Sequence, residues 1–282
     1  MIEAFSQLVR RHTGRTLLVL GGALGATLGA GACDESGGGT DPAIPISSNA
    51  FGNGSSIASI LDPALRATPI ANNTTVRVTG ARVIHVDTFD ETGNGQVGNV
   101  YLQDAWLEPG PYRAVLAFDP VYSPPSYRAT VGDIVDATAP FQNFPRPVGT
   151  PRFLPELVAA KLEARFDAVG GPLQPAVVPL GDFTSFETGK KWLSALVTVE
   201  NVRVLEVNIN ETGRSSVRLD AGAGLAPNDL PTINNELFDL AHAGISFYPG
   251  QTLARVTGLV TIFGNFSVAP RSRSDIEVGD GP

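Results

Sequence analysis

Along much of the chain, apolar and polar side chains alternate every second residue. In Val76-Arg77-Val78-Thr79-Gly80-Ala81-Arg82-Val83-Ile84-His85-Val86-Asp87, the period of two predicts a long, half-buried β-strand. A second short strand follows at Val100-Tyr101-Leu102-Gln103-Asp104. Ala114–Phe118 and the stretch opened by Val131-Gly132-Asp133-Ile134-Val135 continue the series. Glycines, prolines and asparagines punctuate it at intervals that suit turns rather than helices.

The pattern occurs twice. Val197-Thr198-Val199-Glu200-Asn201-Val202-Arg203-Val204-Leu205-Glu206-Val207-Asn208 repeats the first strand, and Glu91-Thr92-Gly93 is matched by Glu211-Thr212-Gly213. Val217–Asp220 matches Val100–Asp104, and Tyr248–Leu253 matches the Gly132 turn. Phe153–Glu163 corresponds to Val268–Glu277. Gly80 and Asn201 stand mid-strand at equivalent places, where a bulge or sharp bend is expected. In the second copy, the run Ala221-Gly222-Ala223-Gly224-Leu225 leaves the third strand hard to place. Pro155–Arg165 also fits a helical period, but its match to the second copy selects strand.

A long bent strand, a hairpin and two further strands of similar length describe a small Greek-key barrel. The expected fold class is all-β, with two tandem five-stranded barrels resembling the OB-fold. The expected organisation is a signal peptide over 1–32, a flexible tether over 33–70, a first barrel over 71–170 and a second over 171–282. Pro172, Pro175 and Pro179 predict a short, stiff junction between the barrels.

Val97–Asp104, Ala114–Phe118 and Val131–Val135 resemble secreted bacterial OB-fold domains, a group often found beside extracellular nuclease or phosphoesterase domains. Gly181-Asp182-Phe183 with Trp192–Val202 resembles the entry into a second such domain, and Gly258–Ser272 its last hairpin. The likeness spans residues 74–278. Its motifs are strand cores and turn glycines, so it implies a fold rather than an activity.

Composition adds a location. Hydrophobic residues at 43% and charged residues at 17% suit a folded core. Arg10, Arg11 and Arg15 precede the apolar run Thr16–Leu20, and small residues lead to Ala32, the order of an export signal. Leu28-Gly29-Ala30-Gly31-Ala32-Cys33 resembles a bacterial lipobox, with Ala30 where leucine is usual. That resemblance makes Cys33 the expected lipidation site and the membrane an expected partner, in the cell envelope. Cleaved secretion and an uncleaved anchor are the alternatives. The absence of a basic flank before Asp34 and Glu35 argues against the anchor. Cys33 is the only cysteine, so no internal disulfide is possible.

The formal charge is −8. Three arginines against Glu3 give the first 32 residues +2, leaving about −10 beyond them. That excess repels polyanions. It argues against nucleic acid as a partner without ruling out a local basic patch.

Candidate chemistry is sparse. His85 and His242 are isolated, and no metal-ligand spacing or nucleophile elbow is present. No enzymatic activity, cofactor or metal is expected. The acidic hairpin Asp87–Gly95 reads as a solvated turn, with a calcium site the alternative. The aromatics Tyr101, Trp106 and Tyr112 are the candidate ligand-binding residues, because OB barrels bind on and around the second and third strands. The expected function is a non-catalytic binding module at the cell envelope, its partner an envelope protein or glycan. The alternatives are a structural or assembly role, or service to an extracellular nuclease or phosphoesterase.

Overall fold

The computed structural model describes residues 54–91, 93, 95, 97–145, 150–165, 173–209, 215–222 and 224–279. The expected signal peptide, Cys33 and most of the expected tether lie outside them.

The first barrel comprises β1 (Thr75–Val86), β2 (Val100–Asp104), β3 (Ala114–Phe118), β5 (Ile134–Pro145) and β6 (Phe153–Val158). The short strands β4 (Val121–Ser123) and β7 (Lys161–Ala164) attach to it. Antiparallel β1–β2–β3 is followed by β6, which runs parallel to β3. β6 pairs with β5, and β5 returns to β1, closing the ring. Pro155–Arg165 therefore forms strands rather than a helix.

The second barrel repeats this plan after β8 (Ala176–Val177). It uses β9 (Leu196–Ile209), β10 (Ser215–Leu219), β11 (Thr232–Asn234), β12 (Thr252–Phe263) and β13 (Asn265–Ala269), with β14 (Ile276–Val278) on β12. Here β11 is the partner parallel to β13, and β12 closes on β9. The third strand that the sequence hides is thus the three-residue β11. The strand order, with one parallel pair within each closed five-strand ring, is that of an OB-fold.

The long first strands bend where the sequence places the break. Gly80 has φ +67°, and the β1–β5 register slips between Val78 and Ala81. A Cβ on Gly80 would sit 2.8 Å from the Trp106 indole nitrogen, so the ring packs directly on the bare backbone. Asn201 has φ +52° at the equivalent place, a conformation asparagine tolerates better than other side chains.

Each barrel has a plug ahead of its first strand. Ser55 lies parallel to β1, donating its N–H to the Arg77 carbonyl at 2.8 Å and accepting from Thr79 N–H at 3.1 Å. A single helical turn, α1 (Ile57–Leu61), then buries Ile57 and Ile60 in the first core. In the second barrel β8 lies parallel to β9, and the Val178 N–H donates to the Thr198 carbonyl at 2.9 Å. A 3₁₀ turn at Leu180–Thr184, α2 (Phe186–Gly189) and a 3₁₀ turn at Lys190–Trp192 follow, burying Phe183.

The expected tether boundary is corrected by this. Residues 54–61 are not a free linker, because their apolar side chains fill the end of the first barrel. Ser56 caps α1 by accepting from the Ser59 N–H, and Asp104 of β2 accepts from Ile57 and Ala58 N–H at 2.7 and 2.9 Å.

Both barrels fall in one compact unit, Ala43–Pro282. The first barrel's own core holds Val78, Val83, Val100, Leu102, Val115 and Leu162. The opposite faces of the same strands carry Ile84, Tyr101, Ala114, Leu116 and Leu154, and these join the second barrel's core cluster. β2 and β3 are consequently apolar on both sides.

Candidate functional site

The three aromatic candidates do not come together. Tyr101 is only 4% exposed and lies in the cluster shared between the barrels, with its ring 6.0 Å from that of His85. Its face is therefore closed to a stacking base or sugar. Trp106, 41% exposed, covers the Gly80 bulge. Tyr112 lines a cleft.

The contact between the barrels includes charged groups. Arg152 donates to the Gly264 carbonyl and pairs with Asp229 at 3.1 Å. Phe153 meets Phe186 edge-on at 5.1 Å, and Phe186 stacks on Phe266 at 6.2 Å. Arg271 makes a two-pronged bond to Asp275, both N–O distances 3.0 Å. Asp275 is only 8% exposed, so this pair is built in rather than a solvated surface group. Burial, with the Arg271 charge second, pushes His85 down to about 4. Its Nε2 has no hydrogen-bond partner. His85 is thus a neutral interface residue.

The acidic hairpin is held by its own backbone. Asp87 bonds Asn99 and Gly98 through its main chain, and its carboxylate accepts from the Phe89 N–H. Burial raises the Asp87 carboxyl to about 6, against that hydrogen bond, with Glu236, Glu91 and Asp90 adding to the rise. Asn94 lies outside the described residues. Among those described, no three His, Cys, Asp or Glu groups are placed to hold a metal ion.

A cleft of about 310 Å³ opens where the first plug, the first barrel and the second plug meet. Ile60, Leu61, Pro69 and Ile70 form one wall; Phe141, Phe153 and Pro155 of β5 and β6 form another. Leu193, Lys190, Lys191 and Tyr112 complete it, with Arg66 and Asp62 from the segment after α1. Tyr112 is set there by a left-handed backbone, φ +61°, and by its N–H, which donates to the Lys191 carbonyl at 2.6 Å. Such a conformation in a non-glycine residue costs of order 1–2 kcal/mol and persists where surrounding structure enforces it.

The cations of the cleft have partners of their own. Lys190 pairs with Glu187 at 2.5 Å, and Lys191 with Asp182 at 2.9 Å. The Lys191 ammonium also lies 5.6 Å from the Trp192 ring centre. The Arg66 Nε donates to the Ser59 carbonyl at 3.2 Å. Of these residues, sequence reasoning singled out only Tyr112. One signal was available: Lys190 and Lys191 are adjacent, in a chain whose only other lysine is Lys161.

Two further tyrosines of the first barrel have structural contacts. Tyr122 and Tyr127 meet edge-on at 5.7 Å, and the Tyr127 hydroxyl donates to Asp133 at 2.7 Å.

No protein-family model matches the chain, and no curated protein matches it. Among solved structures, the chain is similar to the crystal structure of wild-type single-stranded DNA binding protein from Thermus aquaticus. The identity is 17% and the TM-score 0.20, over 76% of this chain and 96% of that one. At that score the likeness has no weight; the OB assignment rests on strand order and closure.

Proposed function

We propose that this chain is a non-catalytic binding module, held at a membrane on the outer side of the cytoplasm by lipid on Cys33. Its ligand sits in the cleft between the plugs rather than on the strand face that OB barrels generally use. The cleft carries this reading. It is concave and mostly apolar, with a few convergent polar groups and a strained tyrosine, as small-molecule sites tend to be. Its volume is at the small end of the range for such sites, about 300–1,000 Å³. The covering of Tyr101 by the second barrel supports moving the site away from β2 and β3.

The cleft is tested by native mass spectrometry of the chain isolated from cells. A bound small molecule is expected, and Asn143→Trp should expel it. Asn143 lines the cleft, and its bond to Asn72 runs through its backbone N–H, which a substitution keeps. An unchanged bound mass in that variant, or an empty wild-type protein, would overturn the assignment. The anchor is tested separately by Cys33→Ser, which should release the chain from the membrane fraction. Continued retention would refute lipid as the tether.

A further inference from the structure

The cleft's charge is opposite to that of the protein around it. Three cationic residues, Arg66, Lys190 and Lys191, line it against one carboxylate, Asp62, in a chain of formal charge −8. Two of the three lysines in the whole sequence are placed there. The walls behind them are isoleucine, leucine, proline and phenylalanine. An anionic head would be attracted by this lining, and a cationic one would be repelled.

We infer that the cleft binds a small anionic amphiphile, with a single hydrocarbon chain against Ile70, Phe141 and Phe153 and an anionic head among Arg66, Lys190 and Lys191. This deepens the binding-module reading and rests on it. The volume limits the chain: at about 30 Å³ per water-sized group, 310 Å³ holds on the order of ten such groups. The Lys190–Glu187 pair does not block the head. Glu187 is 78% exposed at the side chain, and an ion pair with so exposed a partner is weak. Exchanging it for a ligand head therefore costs little, while Asp182, 25% exposed and also bonded by the Trp192 indole N–H, holds Lys191 beside the site. Tyr112 joins the barrels at this point, since its N–H is bonded to the carbonyl of Lys191 itself.

The test is calorimetric titration of the full-length chain, below micelle-forming concentrations. Three probes share a ten-carbon tail: decanoate, decyltrimethylammonium and decyl maltoside. Decanoate should bind one to one, the maltoside at least tenfold more weakly, and the ammonium not at all. The double variant Lys190→Gln/Lys191→Gln should raise the decanoate Kd about tenfold, the size expected for losing two partly screened charges. Its thermal unfolding, recorded alongside, shows whether the fold is kept, and Arg66→Gln supplies an independent cation if it is not. If all three probes bind equally and Asn143→Trp abolishes them, the cleft stands as a site but its anionic preference falls. If decanoate fails to bind while the cell-derived protein still carries a molecule that Asn143→Trp expels, this inference falls and the binding-module reading survives. If neither binding is seen, both fall.

Discussion

The two barrels share a plan and differ in how their ends are sealed. Both begin with a parallel segment on the first strand followed by a helical plug, and the equivalence extends to single bonds. Ser55 donates to the carbonyl of Arg77, and Val178 donates to that of Thr198, the residue that matches Arg77 in the repeat. The seals then diverge. The first plug is tied by the buried carboxylate of Asp104, the second by the rings of Phe183, Phe186 and Phe266. Asp220, the repeat partner of Asp104, is exposed, and its carboxylate accepts a local N–H, from Gly222. Duplicated backbones thus keep their geometry while the chemistry that closes them changes.

The largest effect should come from breaking the aromatic seal. Phe183 is 2% exposed in the second core, and Phe183→Ala should cost about 3–5 kcal/mol through lost burial and the cavity left behind. Denaturant unfolding checks this, and a loss below 1 kcal/mol would show that the plug is dispensable.

The carboxylate seal should instead appear in the pH dependence. Burial raises Asp104 to about 6 from an ordinary 3.8, outweighing the bonds from Ala58 and Ile57 and the Arg113 charge that lower it. A carboxyl raised on folding gives a contribution fully present below its unfolded value and lost as pH rises through about 6. The difference is on the order of 3 kcal/mol between pH 3.8 and pH 7. Asp104→Asn should remove that amount from the slope of stability against pH. His85 works the other way. Lowered on folding, its contribution is present above 6.5 and lost as pH falls through about 4. The comparison is therefore made between Asp104→Asn and the wild type, not on the wild-type curve alone. An unchanged slope in Asp104→Asn would dissolve the contrast between the seals.

The bulges give the smallest contrast. Gly80→Ala places a Cβ in a left-handed conformation against Trp106, and should cost about 1–3 kcal/mol. Asn201→Gly should shift stability by less than about 1 kcal/mol, in the stabilising direction. If thermal unfolding ranked the two the other way, the bend in the second barrel would be the more constrained.

The strands, their repetition and both bends could be read from the sequence because period-two alternation and mid-strand Gly80 and Asn201 are local signals. The first plug could not. Gly54-Ser55-Ser56 continues a Gly, Ser and Asn tract, and five residues of α1 are too few to display a helical period. The burial of Tyr101 had left a trace. Val100-Tyr101-Leu102 and Ala114–Phe118 are apolar without alternation, which is how strands covered on both faces read. Taking Tyr101 as an outward aromatic passed over that. The cleft was hidden for another reason: its walls come from stretches more than a hundred residues apart, and only the adjacent lysines marked it.

The clasp at Ser55 also has a mechanical meaning. A Cβ on Gly54 would overlap Thr79, so the chain is gripped tightly where it meets β1. Tension transmitted from residues before 54 reaches the two Ser55 backbone bonds and the two Asp104 bonds before it reaches any strand of the closed ring. Those four bonds act as strain relief on a cable: they would yield first, and the barrel behind them would keep its shape.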